Sequence, residues 1–461
     1  MDFDVLVVGA GPGGYIAAIR ASQLGLKTCV VEQSSALGGT CLNVGCIPSK
    51  TLLHSSELYA RFSEEVRARN LPLANHAFDF PALMSHKTKI VEGLTDAIDA
   101  IFKKHKIEVI TGLATLSGPH AVVVDGKTVT AKAIILASGS EPIGLPFLPF
   151  DEKRIVSSTG ALSLEKIPKR LLVVGGGVIG VELASVYSRL GADVTIIEML
   201  PQICTGIDSA LTSLLYSLLQ KQKLKFHLHA QVLAGQDRQQ EGISLEVRQA
   251  DGNVITCVGD VVLVAIGRKA RSQDLGVTNL NIDTTPRGAI VVDKEFRTTV
   301  PSIYAIGDLI DGPMLAHRAS YEGVAVSEII AGKHPSLDYM TIPNVVYTSP
   351  ELATVGFSED EAKEVKRPLK IGKCAFRGNP RARTADDLDG LVKVVADAKT
   401  ERLLGMHILA SCAAEMIEIG VLGISKRVTL SDIGDLPFAH PTYSEAIKEA
   451  CLQALGRSYH L

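Results

Sequence analysis

Residues 2–33 read DFDVLVVGAGPGGYIAAIRASQLGLKTCVVEQ, and this stretch indicates how the chain folds. An apolar run leads into Gly9, Gly11 and Gly14, an amphipathic segment follows, and a second apolar run ends at Glu32. This order predicts a strand, a tight turn, a helix and a second, parallel strand. The helix N-terminus would present free N–H groups to a pyrophosphate, and the acid could accept a hydrogen bond from a ribose hydroxyl. The stretch therefore predicts a dinucleotide-binding unit.

The same unit occurs a second time in the middle of the chain. Residues 169–199 read KRLLVVGGGVIGVELASVYSRLGADVTIIEM. Gly175, Gly177, Gly180 and Glu198 each lie 166 residues after their counterparts in the first unit. One such motif is weak evidence, because ordinary strand-to-helix turns in a parallel sheet are also rich in glycine. Two copies, each followed by an acid at the same distance, favour two bound dinucleotides.

A third glycine-containing segment, VPSIYAIGDLIDGPMLAHRASYEG at 300–323, follows the second unit. It predicts a strand that ends at Gly307–Asp308 and a helix that begins near Ala316. An acid at the carboxyl end of a strand suits contact with a ligand, and it equally suits a helix cap. The local sequence leaves both roles open for Asp308.

Two of the chain's 8 cysteines, Cys41 and Cys46, lie close together in GGTCLNVGCIPSK, residues 38–50. Their spacing differs from the usual zinc-ligand patterns and from the two-residue gap of thioredoxin-like motifs. In an ideal helix their Cα atoms would lie about 8.7 Å apart, whereas a disulfide needs about 4.4–6.8 Å. Pairing therefore requires a distorted helix, which Asn43 and Gly45 permit. Two buried small side chains are an equally good interpretation of the spacing.

The composition of the chain narrows the class of protein. Its 461 residues are 46% hydrophobic and 21% charged, which suits about three globular domains. The net charge of −3 gives no electrostatic reason to expect nucleic acid or a membrane surface as a partner. No apolar run approaches the ~18 residues of a membrane span, and the N-terminus shows no signal-peptide pattern. Because the other cysteines are scattered, we expect a reducing, cytoplasmic environment.

The sequence pattern changes after about residue 342. The stretch GLVKVVADAKTERLLGMHIL, residues 390–409, predicts an antiparallel hairpin with its turn near Lys399–Thr400. Amphipathic segments around 413–427 and 443–455 predict two helices. Because this part carries no nucleotide motif, we expect a separate α+β domain.

Together these features resemble the pyridine nucleotide–disulfide oxidoreductases, and among them the dihydrolipoamide dehydrogenases. The resemblance covers the whole chain and rests on motifs in family order: GAGPGG, GGTCLNVGCIPSK, GGGVIGVELASV, YAIGD, GPMLAHRASYEG, HPTYSEA and ALGRSYHL. It implies an α/β fold with two Rossmann-like dinucleotide-binding domains and a C-terminal α+β dimerisation domain. The implied domains are FAD-binding at 1–146, NAD-binding at 147–268, central and completing the FAD site at 269–341, and interface-forming at 342–461.

The resemblance also implies catalytic roles. Cys41 and Cys46 form a redox-active disulfide, in which Cys46 exchanges electrons with FAD and Cys41 exchanges them with the substrate. Lys50 lies beside the flavin, and Glu182 is its acidic partner. These roles are chemically reasonable, because a thiolate at a helix N-terminus near a cation has a depressed pKa.

The remaining implied roles concern the proton acceptor and the cofactors. His440 accepts protons in the active site of the second subunit, and Glu445 orients it; imidazole titrates in the range that this task needs. The residues implied to contact FAD are Gly9, Gly11, Gly14, Glu32, Lys50, Gly139, Asp308 and Ala316. Those implied to contact NAD are Gly175, Gly177, Gly180, Glu198 and Gly267. No metal site is expected.

The implied reaction is the oxidation of protein-bound dihydrolipoyl groups with NAD⁺ through the disulfide and FAD. The expected partners are a second copy of the chain and either a lipoylated carrier protein or the acyltransferase core of a 2-oxo acid dehydrogenase complex. One alternative is a related FAD disulfide reductase with another disulfide substrate. The stretch IIEMLPQICTG lacks the basic residues of NADP-dependent relatives, and the tail has only Cys451 where mercuric reductases have a cysteine pair. A second alternative, a mainly structural docking component, would not need the cysteine pair and His440.

Overall fold

The computed structural model of the chain describes residues 1–68, 78–364 and 367–460. The first α/β unit comprises β1 Phe3–Val8, α1 Pro12–Gln23, β2 Thr28–Glu32, α2 Gly39–Val44, α3 Cys46–Ala68, α4 Phe80–His105, β3 Glu108–Thr111, β4 Ala114–Gly118, β5 Ala121–Val124, β6 Lys127–Leu136 and β7 Ser140–Pro142. The second comprises β8 Ile155–Val156, α5 Ser158–Ala161, β9 Arg170–Val174, α6 Val178–Arg189, β10 Asp193–Ile197, α7 Ser209–Lys221, β11 Lys225–His227, β12 Gln231–Asp237, β13 Ile243–Arg248, β14 Val254–Gly259, β15 Val261–Val264 and β16 Arg268–Ala270. Then come β17 Ile303–Ala305 and α8 Ala316–Ile330.

The two units repeat one topology. Strands β3-β2-β1-β6-β17 run parallel in the first, and β11-β10-β9-β15-β8 run parallel in the second. Each also carries an antiparallel extension, formed by β4, β5 and the first half of β6 in one unit and by β12, β13 and β14 in the other. Strands β1 and β9 are almost wholly buried, as expected where helices cover both faces of a parallel sheet. The prediction of two Rossmann-like units is confirmed.

Helices α3 and α4 belong to the first unit by sequence, yet they pack into the cores of both units. Ile47 of α3 and Phe102 of α4 pack into the core of the first unit. Leu52 and Leu53 of α3 share one apolar cluster with Val173 of β9 and Val181 of α6. Burial of such side chains is worth about 1.5–3 kcal/mol each. The helix that begins at Cys46 is therefore fixed against both units.

The C-terminal part forms an antiparallel sheet with strand order β18-β19-β22-β21-β20. Its elements are β18 Asn344–Val346, β19 Glu351–Gly356, α9 Glu359–Glu364, β20 Leu369–Ala375, α10 Pro380–Thr384, β21 Leu391–Asp397, β22 Leu403–Ala410, α11 Ala413–Met416, α12 Glu418–Ser425, α13 Leu430–Gly434 and α14 Glu445–Ala454. The predicted hairpin is β21–β22, and the first predicted helix is divided at Ile417. Within the described ranges, no helix is both long and apolar enough to cross a membrane.

Candidate active site

A cavity of about 500 Å³ lies at the carboxyl edge of the first parallel sheet, where α6 of the second unit approaches. The residues that line it include ten of those singled out in the sequence: Gly9, Gly11, Glu32, Cys41, Cys46, Lys50, Gly139, Glu182, Asp308 and Ala316. The carboxyl edge of the strands is where open α/β sheets bind ligands. The fold thus brings segments from three separate parts of the sequence to one site.

Cys41 and Cys46 form a disulfide on the wall of this cavity. Their Cα atoms lie 4.7 Å apart, because α2 ends before Gly45 and α3 begins directly after it. Gly45 adopts φ −142° and ψ −110°, and a Cβ there would lie 2.8 Å from the Thr40 carbonyl oxygen. The helix distortion that pairing requires is therefore present at Gly45, and the interpretation as two buried small side chains is wrong.

Most of the other cysteines are buried away from solvent. Burial raises the pKa of the Cys29, Cys204 and Cys451 thiols to about 12, and nearby carboxylates contribute at Cys204. Cys412 is only partly buried, and burial raises its pKa to about 11. Thiols of this kind stay protonated at neutral pH and react slowly. These four thiols are therefore poor candidates for thiol chemistry.

Lys50 and Glu182 form an ion pair across the junction of the two units. Lys50 Nζ lies 2.7 Å from Glu182 Oε2, and only 2% of the Glu182 surface is exposed. The other carboxylate oxygen accepts a hydrogen bond of 2.9 Å from the Tyr347 N–H. The Tyr347 ring also lies beneath the ammonium group, 4.6 Å from Nζ to the ring centroid. The positive charge is thus held one helical turn from Cys46.

The first and third glycines of each motif are required by the chain itself. Gly9 and Gly175 have φ of +100° and +107°, values that favour glycine. A Cβ on Gly14 would lie 1.9 Å from the Gly9 oxygen, and one on Gly180 would lie 2.1 Å from the Gly175 oxygen. These glycines allow the tight turn and the close approach of helix to strand.

The middle glycines are not required by the chain. Gly11 and Gly177 have φ of −69° and −72°, which any residue adopts. A Cβ on Gly177 would meet no described atom within 4 Å, and one on Gly11 would meet only the Gly39 Cα, at 3.9 Å. A ligand that approaches the backbone closely explains glycine at both positions, since a Cβ would occupy its space. Both turns therefore fit the pyrophosphate of a dinucleotide.

The acid of each unit is held against its own glycine turn. Glu32 accepts hydrogen bonds from the N–H groups of Ala10 at 2.7 Å and Ser34 at 2.9 Å. Glu198 accepts the two equivalent bonds, at 2.5 and 2.7 Å. A carboxylate has about four acceptor positions, so each acid retains capacity for the hydroxyls of a ribose.

Asp308 belongs to the cavity wall and does not cap a helix. Helix α8 begins at Ala316, and the residue before it is Leu315, so the capping role is wrong for Asp308. The Ser140 hydroxyl donates a hydrogen bond of 2.6 Å to the Asp308 carboxylate. Arg268 Nε in turn donates to the Ser140 hydroxyl at 2.7 Å.

The residues expected at NAD lie apart from this cavity. Gly175, Gly177, Gly180 and Glu198 surround the turn between β9 and α6 and do not line the cavity. Gly267 follows β15 with φ +126°, at the same edge of the second sheet. The residues predicted to contact NAD therefore form a group separate from those that line the cavity.

His440 is placed on an exposed surface of the C-terminal domain. Its Nδ1 lies 3.0 Å from Glu445 Oε1, and 67% of its side chain is exposed. The Thr442 N–H donates to Glu445 Oε2 at 2.8 Å. Burial acts to raise the pKa of Glu445, but the hydrogen bonds from His440 and Thr442 outweigh it and hold this pKa below its ordinary value. His440 is not among the residues that line the cavity of its own chain.

Comparison with known proteins places the chain in a family. Residues 3–323 match the family model described as pyridine nucleotide-disulphide oxidoreductase, and residues 342–451 match the dimerisation domain of that family. The chain belongs to the pyridine nucleotide–disulphide oxidoreductase family.

Its full-length relatives include dihydrolipoyl dehydrogenases. The chain is 44% identical to dihydrolipoyl dehydrogenase 1, mitochondrial, of Arabidopsis thaliana, over 99% of this chain and 91% of that protein. It is also 44% identical to the dihydrolipoyl dehydrogenase of Trypanosoma brucei brucei, over 99% and 97%. A similar solved structure is the HOCl-induced flavoprotein disulfide reductase RclA from Escherichia coli, with TM-score 0.87, 27% identity and 97% and 99% coverage. The expectations of this fold, of a dihydrolipoyl dehydrogenase and of FAD and NAD as cofactors are confirmed.

Three residues of the site carry no recognisable signal in the sequence. Tyr347 meets Lys50 and Glu182 only because the C-terminal domain packs beside α3 and α6. Ser140 and Arg268 meet through the short pairing of β7 with β16. Arg268 directly follows Gly267, but nothing in the sequence marks it as a partner of Ser140.

Proposed function

We propose that the chain oxidises protein-bound dihydrolipoyl groups and delivers the electrons to NAD⁺. The observation that carries this proposal is the Cys41–Cys46 disulfide on the wall of the cavity that also contains the first glycine turn and the Lys50–Glu182 pair. The first glycine turn and Glu32 would hold FAD in this cavity, and bound FAD would supply two-electron transfer between the reduced cysteine pair and the nicotinamide.

The thiol chemistry is assigned to the two cysteines as follows. One thiolate of the substrate attacks Cys41 Sγ, the Cys41–Cys46 bond breaks, and Cys46 leaves as a thiolate. The second substrate thiolate then attacks the mixed disulfide, which closes the lipoyl ring and releases Cys41. The substrate dithiol loses two electrons, and the cysteine pair gains them. Lys50 and the N-terminus of α3 stabilise the Cys46 thiolate.

We propose that His440 accepts the protons of the substrate thiols, and that it acts in the cavity of the partner subunit. Support comes from its exposed imidazole, the orienting hydrogen bond between its Nδ1 and the Glu445 carboxylate, and the match of residues 342–451 to a dimerisation domain. A homodimer then contains two active sites, each built from both chains. We also propose domain boundaries near residues 146, 268 and 341.

The proposed partner beyond the second subunit is a lipoylated carrier protein or the acyltransferase core of a 2-oxo acid dehydrogenase complex. The proposed location is the cytoplasm, although several relatives carry the word mitochondrial in their names. Cell fractionation and capture of lipoylated proteins on the wild-type dimer test both parts.

The decisive experiment is a comparison of disulfide substrates. The purified protein should oxidise NADH with lipoamide as the acceptor, and Cys41→Ser should abolish this reaction. An assay with glutathione disulfide in place of lipoamide tests the alternative that the chain reduces a different disulfide substrate. If the protein turns over neither disulfide, the alternative of a mainly structural docking component gains support. Faster turnover of glutathione disulfide than of lipoamide would overturn the proposal.

A further inference from the structure

Helix α8 contains a buried ion pair to which the thiol chemistry assigns no role. Arg318 Nε lies 2.8 Å from Glu322 Oε1, and the two side chains are 3% and 0% exposed. Removal of two charges from water is costly, and a buried pair is therefore weak evidence of a stabilising role. Its other contacts indicate what it holds in place.

Glu322 holds the residue that precedes Asp308. Its Oε2 accepts a hydrogen bond of 2.7 Å from the Gly307 N–H, and its Oε1 accepts one of 2.9 Å from the Tyr339 hydroxyl. Gly307 has φ +69°, in the region that favours glycine. The carboxylate thus fixes the backbone at the point where the chain turns from β17 toward Asp308.

Arg318 holds the far end of the same segment. Nη1 donates to the Pro313 carbonyl at 2.9 Å, and Nη2 donates to the Asp311 carbonyl at 2.6 Å. The guanidinium lies against Gly312, where a Cβ would be 2.5 Å from Nη1. Because the guanidinium is planar and rigid, it fixes the spacing of the two carbonyl groups.

The segment held by these two anchors, together with the start of α8 that follows it, forms one wall of the cavity. Asp308, Met314 and Ala316 line it, and the Asp308 carboxylate receives the hydrogen bond from Ser140. We propose that Arg318 and Glu322 are positioning residues for FAD, which clamp residues 307–313 so that Asp308 and the start of α8 face the cofactor. This inference rests on the proposed function only in that the cavity must bind FAD.

A second ion pair on α8 supplies a matched control. Glu328 pairs with Arg20 of α1, where the two helices meet, and neither residue lines the cavity. Glu328→Gln and Glu322→Gln therefore make the same chemical change on the same helix, one outside the clamp and one within it. Both carboxylate oxygens of Glu322 accept hydrogen bonds in the wild-type protein. In Glu322→Gln, the NH₂ group must replace one of these oxygens, so in either orientation of the amide it faces a donor and one hydrogen bond is lost.

The test is the rate at which the holoenzyme releases FAD, followed by the rise in free flavin fluorescence. We expect Glu322→Gln to release FAD about tenfold to a hundredfold faster, since hydrogen bonds to a charged group are lost. Glu328→Gln should stay within about twofold of wild type. Tyr339→Phe removes one bond to Glu322 without altering either charge, and a rise of about threefold to tenfold is expected.

A merely structural role is separated by thermal unfolding with and without FAD. A positioning role reduces the extra stability that bound FAD confers, whereas a structural role lowers both unfolding temperatures equally. The inference is overturned if folded Glu322→Gln releases FAD no faster than Glu328→Gln does. If Glu322→Gln does not fold, the inference is overturned when Tyr339→Phe releases FAD at the wild-type rate. A wild-type protein that binds no FAD would instead refute the proposed function.

Discussion

Nζ of Lys50 lies 2.7 Å from Oε2 of Glu182, although the two residues belong to helices of different dinucleotide-binding units. The pair fixes a positive charge near the first turn of α3, where Cys46 is located. It also joins the two units beside the cavity that contains the disulfide. A charge that is held before the reaction needs no reorganisation during it.

We predict that Lys50→Met lowers lipoamide-dependent turnover about a hundredfold to a thousandfold, because the Cys46 thiolate loses its stabilising charge. It should also destabilise the fold by about 1–3 kcal/mol, because buried Glu182 loses its ion pair and, among the described residues, keeps one hydrogen bond, from the Tyr347 N–H. Lys50→Met combined with Glu182→Gln should recover stability but not turnover. Turnover assays and urea unfolding of both variants test this; recovery of turnover in the double variant would contradict it.

Reduction of the disulfide can be measured by the number of thiols that it releases. We predict that mild reduction of the native protein exposes two further reactive thiols, since Cys41 and Cys46 line the cavity whereas most other cysteines are buried. Cys41→Ser and Cys46→Ser should each abolish lipoamide turnover. The control variant Cys257→Ser changes a partly exposed free cysteine and should keep lipoamide turnover. A thiol titration before and after reduction measures the count. An unchanged count would mean that the pair is not redox-active.

The sequence predicts contacts that depend on short-range geometry. Gly9 and Gly14 are recognisable because a turn next to a helix requires glycine there, whatever the rest of the chain does. The distance between Cys41 and Cys46 could not be deduced, because an ideal helix separates them and the break at Gly45 is one choice among several. Tyr347 could not be predicted, because it reaches Glu182 only through the packing of whole domains.

The choice of nucleotide should depend on Glu198. A 2′-phosphate beside this carboxylate meets a like charge, so we predict that NAD⁺ is preferred to NADP⁺ by at least about a hundredfold in kcat/KM. Glu198→Gln keeps an oxygen for the turn but removes the charge, and it should reduce the preference about tenfold or more. Glu32→Gln makes the same change in the first unit and should leave the preference unaltered. Steady-state kinetics with both nucleotides measure the preference in each variant. If Glu198→Gln prefers NAD⁺ as strongly as the wild-type protein does, Glu198 does not determine the choice of nucleotide.

Stability should fall with rising pH because of Glu351. Burial raises the pKa of this residue to about 7, and the Glu57 and Glu415 carboxylates add to the rise. A hydrogen bond from the Ala414 N–H acts in the opposite direction but does not outweigh burial. The folded protein binds a proton at Glu351 more tightly than the unfolded chain does, because the folded-state pKa is above the ordinary value of 4.5. The stability that this proton contributes is therefore fully present below pH 4.5 and is lost as pH rises through about 7.

Glu351→Gln should therefore unfold at a higher temperature than wild type at about pH 8, with a gain of at most about 3 kcal/mol. The difference should shrink toward about pH 5, where wild-type Glu351 is protonated. Thermal unfolding across this range tests the prediction, and Glu246→Gln on the exposed side of β13 serves as the control. A pH-independent difference between Glu351→Gln and wild type would contradict it.

His440 and Cys41 should act together only across the dimer. His440→Ala should lose about 10²–10⁴ in lipoamide-dependent rate, as expected when a positioned base is removed. Glu445→Ala should lose less, because Glu445 orients the imidazole through one bond of 3.0 Å and does not itself take the proton. NADH oxidation by an artificial electron acceptor should survive both changes, because it needs neither substrate thiol.

The shared site is tested by subunit exchange between two inactive dimers, Cys41→Ser and His440→Ala. A mixed dimer contains one cavity in which both residues are mutated and one in which intact Cys41 of one chain faces intact His440 of the other. We therefore expect lipoamide turnover to reappear on exchange, at up to about half the wild-type rate per mixed dimer, because one of two equivalent sites is complete. Exchange between Cys41→Ser and Cys46→Ser dimers is the matched control. It should restore nothing, because a disulfide within one chain cannot be completed by the other. If the first mixture stays inactive although exchange is demonstrated, His440 acts within its own chain or has no catalytic role.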